Sequence, residues 1–210
     1  MKKHLISTSL IITYLLTSLP LRFIFRIKTN ASRISLERNN KYIIAANHPI
    51  RIDAFLILSS MPLKEYIKLL PIRFPIADKY INTWYKKMLL LPLGDVPVNK
   101  GKNDKILPRL IEMLKDGQTI FIHPTGSLEK KGRKLTPKVG TVYIEKEVND
   151  SKIIPVNIRI RGKINLINLI KRKIIISINF KKPFRHKDFP KDLQPLADNV
   201  MRRIKYEKSN

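Results

Sequence analysis

Apolar residues recur along this chain in two rhythms. Short, nearly continuous apolar runs bounded by polar residues or proline read as buried strands: Ile43–Ala46, Gln118–His123, Ile153–Ile158 and Lys173–Phe180. Glu65–Leu70 and a short piece at Arg33–Leu36 fit the same pattern. Apolar residues at helical spacing separate these runs. Ile52, Phe55, Leu56 and Leu58 predict a helix that ends near Met61-Pro62, and Ile76–Met88 puts Tyr80, Trp84 and Met88 on one side. Asn103–Asp116 lines up Ile106, Leu107, Leu110, Ile111 and Leu114 on one face, with Asp104 at its start and Gly117 as its stop. Thr141–Val148 and Ala197–Tyr206 complete the set, the last with Val200, Met201 and Ile204 inward. Strands alternating with helices predict an α/β fold, a mixed sheet flanked by helices.

The N-terminus breaks this rhythm. Lys2 and Lys3 precede an uncharged stretch, Leu5–Leu19, which Pro20 interrupts before Arg22, Arg26 and Lys28. That run is shorter than the roughly 20 residues of a spanning helix. A basic start and short apolar middle also suit a signal peptide, but basic and aromatic residues stand where small cleavage-site residues belong. The expectation is an uncleaved helical segment, residues 1–28, that embeds in a membrane with its cations among anionic headgroups. Residues 29–210 form one globular domain behind it.

Composition narrows the chemistry. The chain has 210 residues and no cysteine, which removes disulfides, a thiolate nucleophile and cysteine-ligated metal. Its four histidines show no paired spacing, so no metal is expected. A net charge of +26 favours anionic partners: nucleic acid, anionic lipid or an acidic carrier protein. A basic nucleic-acid-binding protein is therefore an alternative, with clusters at Lys130–Lys134 and Lys171–Lys173 to track phosphates. The apolar N-terminus has no use in that role, and no nucleic-acid-binding motif emerges, so nucleic acid is not the expected partner.

The candidate chemistry lies where the run Ile43–Ala46 meets Asn47-His48-Pro49. Pro49 cannot continue a ladder. His48 then sits at a strand-to-helix turn and Asp53 in the first turn of the following helix. A carboxylate reaching back to an imidazole fixes its tautomer and stabilises the imidazolium that forms when it takes a proton.

Asn47-His48-x-x-x-x-Asp53 resembles the first block of the glycerolipid acyltransferase family, the family of 1-acylglycerol-3-phosphate acyltransferase. Three later stretches keep the order. Gly94 precedes a short strand ending at Lys100, where the family has a phosphate-holding Arg. His123-Pro124-Thr125-Gly126-Ser127-Leu128-Glu129 resembles the family's Phe-Pro-Glu-Gly-Thr-Arg-Ser turn, and Ile153-Ile154-Pro155-Val156 resembles its proline-centred strand. Thr125 replaces the family's Glu and Leu128 its Arg, two residues that help bind the acceptor, so the acceptor alcohol stays open.

The resemblance, which covers roughly Tyr42–Ile160, implies transfer of a fatty acyl group from acyl-carrier protein or coenzyme A to a hydroxyl of a phospholipid-type acceptor. It implies His48 as general base with Asp53, and no cofactor beyond the thioester donor. Substrate-binding residues implied by the matching blocks are Asn47, Lys100, Thr125, Gly126 and Ser127, with Lys130 and Arg133 as replacement cations. Oxyanion donors are expected from backbone N–H groups around Pro124–Ser127 or just after Pro49. The implied location is the cytoplasmic face of a bacterial inner membrane. A family member with altered catalysis that only binds lipid is the other alternative.

Overall fold

The computed structural model describes residues 3–38, 40–81, 83–98, 106–129 and 135–206. Among them, seven strands form one sheet in the order β1-β7-β6-β2-β5-β3-β4. They are β1 (Arg26–Thr29), β2 (Lys41–Ala46), β3 (Ile72–Ala77), β4 (Asp95–Val98), β5 (Thr119–Ile122), β6 (Ser151–Arg161) and β7 (Ile175–Phe180). The β6–β7 pair is antiparallel and the others are parallel, so the sheet is mixed as expected.

The pleat sends alternate residues of β2 to opposite faces. Tyr42, Ile44 and Ala46 join one core with Phe121, Ile154 and Val156. That face is covered by α1 (Lys3–Ile24), α2 (Asp53–Ser59) and α3 (Leu63–Lys68). Ile43 and Ala45 join the second core, under α5 (Ile106–Lys115), α6 (Gly140–Glu147) and α8 (Gln194–Tyr206). Leu110, Ile111 and Leu114 of α5, and Val200, Met201 and Ile204 of α8, are buried there as their spacing predicts. The remaining helices, α4 (Trp84–Leu90) and α7 (Leu166–Ile170), lie at the periphery.

Four expectations are corrected. Glu65–Leu70 is not a strand; residues 63–68 are α3, where Pro62 caps the start and Glu65 and Lys68 pair one turn apart at 2.9 Å. Arg33–Leu36 is not a strand either. Residues 31–33 form a 3-10 turn, and Leu36 gives its N–H to the Glu65 carboxylate at 2.9 Å instead of to a ladder. Ile76–Met88 is not one helix. Ile72–Ala77 is β3, and its apolar continuation faces outward, with Tyr80 44%, Trp84 75% and Met88 68% exposed. The periodicity there marks an exposed stripe and not a core face.

Pro20 does not end the first helix, which continues to Ile24. Arg22 secures the last turn by donating to the Ser59 carbonyl at 3.1 Å. Pro155, in turn, lies inside a central strand. Its carbonyl accepts from Lys181 on the β7 side, so its missing N–H faces that side too, just before the ladder that starts at Val156. Only the reciprocal bond of that one pair is missing, and pairing resumes beyond it between Ile153 and Phe184. Gly94 has φ +88°, and a Cβ there would fall 2.1 Å from the Ile72 carbonyl oxygen, so only glycine lets β4 come alongside β3.

Candidate active site

Because β2 and β5 are parallel neighbours, their C-terminal ends open on the same edge of the sheet. His48 follows β2 and His123 follows β5. Asp53 is the first residue of α2, which packs over that edge and buries the carboxylate to 1% exposure. Its Oδ2 lies 2.6 Å from His48 Nδ1, and its Oδ1 lies 3.4 Å from His123 Nε2. The two imidazoles stack, with ring centroids 3.9 Å apart and planes 13° from parallel. His123 Nδ1 lies 3.0 Å from the Ala46 carbonyl oxygen. Burial pushes the Asp53 carboxyl up, but hydrogen bonds from His123 and His48 outweigh it and hold it below the usual aspartate range.

This arrangement suits proton transfer. An Asp53 carboxylate that accepts from His48 Nδ1–H leaves Nε2 of the same ring as the basic nitrogen. His48 keeps a side-chain exposure of 20%, enough for a reacting hydroxyl to reach it. A metal suits it less well. The donor atoms of His48, Asp53 and His123 lie within 4.8 Å of one another. A ring nitrogen binds an ion in the ring plane, about 2 Å away. Two nearly parallel stacked rings cannot aim both lone pairs at one point, and Asp53 already engages one nitrogen of each.

Asn47 is buried and its amide grips β6: Nδ2 donates to the Ile158 carbonyl at 3.0 Å, and Oδ1 accepts the Ile158 N–H at 2.8 Å. The His48 carbonyl accepts from the Glu129 N–H at 2.7 Å, which ties the third block to the first. Within the turn, Thr125 is buried and donates its hydroxyl to the Ser127 carbonyl. Gly126 has φ +64° and gives its N–H to the His123 carbonyl at 2.8 Å, so that donor is spent within the turn. Ser127 is half-buried beside them. Lys100, Lys130 and Arg133 lie outside the described residues.

Beside Asn47 and Pro49 an open cleft of about 660 Å³ runs along the end of β6, lined by Ile158, Arg159, Arg161 and Lys205 among others. Glu129 also lines it and pairs with Lys205 at 3.1 Å. Sequence reading gave no role to these cations, or to His123 beyond its place at a strand end. The usable signal for His123 was a polar ring at the mouth of a strand, but only the strand order puts it against His48. A second His–carboxylate contact, His186 Nδ1 to Glu145 Oε2 at 2.7 Å, joins the chain after β7 to α6 on the opposite face. It shows that such a pair also serves as a fastening, and that the edge position is what sets the first pair apart.

Comparison with known proteins agrees with this architecture. No curated protein sequence matches the chain. Among solved structures it is similar to the crystal structure of the 1-acyl-sn-glycerophosphate (LPA) acyltransferase PlsC from Thermotoga maritima, with a TM-score of 0.57 and 18% identity. The match covers 88% of this chain and 74% of that one, and it establishes a shared fold. The family model described as Acyltransferase matches residues 22–159, which include the strand-to-helix turn at His48 and the turn after β5. The chain is a member of the Acyltransferase family.

Proposed function

We propose that this acyltransferase moves a fatty acyl group from an acyl-carrier-protein or coenzyme A thioester to a hydroxyl of a phospholipid-type acceptor. The observation that carries the reading is the 2.6 Å contact between His48 and buried Asp53 at the open sheet edge. The acceptor O–H gives its proton to His48 Nε2 as its oxygen attacks the thioester carbonyl carbon. Asp53 stabilises the imidazolium. The tetrahedral intermediate then collapses, the C–S bond breaks, and the thiolate leaves with the proton from His48. No acyl-enzyme forms.

The cleft along β6 is the proposed acceptor site. Arg159, Arg161 and Lys205 outnumber Glu129 there, so its field favours an anionic headgroup. The overall charge of +26 likewise favours an acidic thioester carrier.

The membrane contact is proposed to run along α1. By length, 22 residues reach about 33 Å, enough to span. Yet α1 holds the domain along its whole length: Ile6 and Leu10 are buried, Tyr14 donates to the Met61 carbonyl, and Arg22 to that of Ser59. A helix fastened so along a folded domain lies in the interface with its outer face, Leu15, Leu16, Leu19 and Phe23, in the acyl region. Exposed Trp84 and Met88 of α4 suit the same interface. The proposed location is the cytoplasmic face of the inner membrane.

The test is a matrix of purified protein, both thioester classes and a panel of lysophospholipid and neutral lipid alcohols, with products identified by mass. A new ester on an anionic lipid acceptor is expected. Transfer to no lipid alcohol from either donor would refute the reading.

A further inference from the structure

The mechanism uses one imidazole on Asp53, but the structure holds two. His123 Nδ1 faces the Ala46 carbonyl at 3.0 Å, and a carbonyl only accepts, so that nitrogen carries a hydrogen. The other nitrogen, Nε2, lies 3.4 Å from Asp53 Oδ1, an oxygen that His48 does not use. A carboxylate also only accepts, so the ring serves Asp53 as a donor in its imidazolium form, with a hydrogen on each nitrogen. The ring itself lies flat against His48 at 3.9 Å, while Phe121 meets its edge at 5.3 Å and 75°. His123 is thus held on three sides by β2, α2 and β5, and its remaining polar contact is the catalytic carboxylate.

We propose that His123 is a positioning residue for the acyl transfer: it ties down the second oxygen of Asp53 and backs the ring of His48, so that both keep the geometry proton transfer needs. This rests on the His48–Asp53 reading above. A carboxylate held through one oxygen swings about its Cβ–Cγ bond, whereas one held through both is locked. Stacking confines the His48 ring in the same way, leaving in-plane rotation as its main freedom. Misplacement of a proton-transfer pair by about an ångström is costly, up to roughly a hundredfold in rate.

Asp53 comes from α2 and His48 from the end of β2, while the Glu129 carboxylate, from the segment after β5, is directed to Asn47 and Lys205. Loss of His123 therefore removes one of two donors from Asp53 without replacement. The carboxyl, held low by both, then rises, and Asp53 is left with one donor.

The direct test compares His123→Phe, which keeps a flat ring on His48 and removes both nitrogens, with His123→Gln, which returns one amide donor. For His123→Phe, we expect native KM values and a kcat lower by about tenfold or more. In His123→Gln, which returns a donor to Asp53, kcat recovers toward the native value while KM stays unchanged. A His123→Phe enzyme whose kcat matches the native one, or whose loss His123→Gln does not relieve, overturns the proposal. Should that variant not fold, ring-nitrogen NMR of the native protein and of Asp53→Asn decides. Both imidazoles shift if His123 is bound to Asp53, and a change at His48 alone overturns the proposal. Activity surviving in His48→Ala would instead sink the underlying mechanism, so the two failures are told apart.

Discussion

The side-chain amide of Asn47 pairs with both backbone groups of Ile158, as one strand residue would pair with another. It extends the β2–β6 ladder past Val156 by a side chain, at the point where the β2 backbone turns away toward His48. The sequence motif suggests substrate binding for Asn47, whereas the geometry gives its amide to the fold. Asn47→Ala leaves a buried N–H and carbonyl unpaired and is expected to cost roughly 2 kcal/mol of stability. It should lower kcat by loosening His48 while leaving acceptor KM near native. A rise in KM alone, measured in the same assay, would return Asn47 to a substrate-binding role.

Asp95 opens the edge strand β4, and burial pushes its carboxyl up to about 7. A carboxyl raised in the folded state favours folding when protonated. Its contribution is full below the ordinary aspartate value of 3.8 and is lost as pH rises through about 7. Asp95→Asn removes that pH dependence. The variant should be more stable than the native protein above neutrality, by on the order of 1 kcal/mol, and should match it only near and below pH 3.8. Thermal unfolding at two pH values measures the difference. Equal stability gaps at both would show that Asp95 is not the cause.

The outer face of α1 offers a separate test of membrane contact. Replacing Leu16, Leu19 and Phe23 by Ser alters residues that are 69%, 75% and 73% exposed, so the fold should persist. Binding to anionic vesicles is expected to fall by at least about tenfold. The native protein should stay on those vesicles in high salt, because apolar burial is not screened. Release of the native protein by salt alone would mean that its cations carry the attachment.

The sequence made the centre of the sheet legible and left its periphery obscure. Ile43–Ala46, the strand before His123, the helix that Gly117 stops and the helix that ends at Tyr206 are read correctly, because burial on one or both faces imposes a pattern on them. The errors fall where the pattern has another cause. Tyr80, Trp84 and Met88 are periodic yet exposed. Leu36 sits in an apolar stretch, but its N–H goes to a side chain, Glu65, that no local rule foresees.

The site divides the same way. His48 and Asp53 are five residues apart on one strand-turn-helix, so their contact follows from local geometry. His123 is 75 residues further along the chain than His48, and Arg159 and Arg161 lie beyond that; only the strand order of the folded sheet gathers them. The turn that His123 opens resembles one that begins with Phe in the family. That likeness carries no sign that the histidine of this chain faces Asp53.

Everything proposed for the chemistry runs through one nitrogen of one side chain. The decisive measurement is the acyl-transfer rate of His48→Ala, assayed on protein shown to be folded by thermal unfolding. The expected result is a loss of at least about a thousandfold in kcat with the fold retained. A folded His48→Ala protein that keeps most of the native rate would contradict a proton-transfer role for this imidazole.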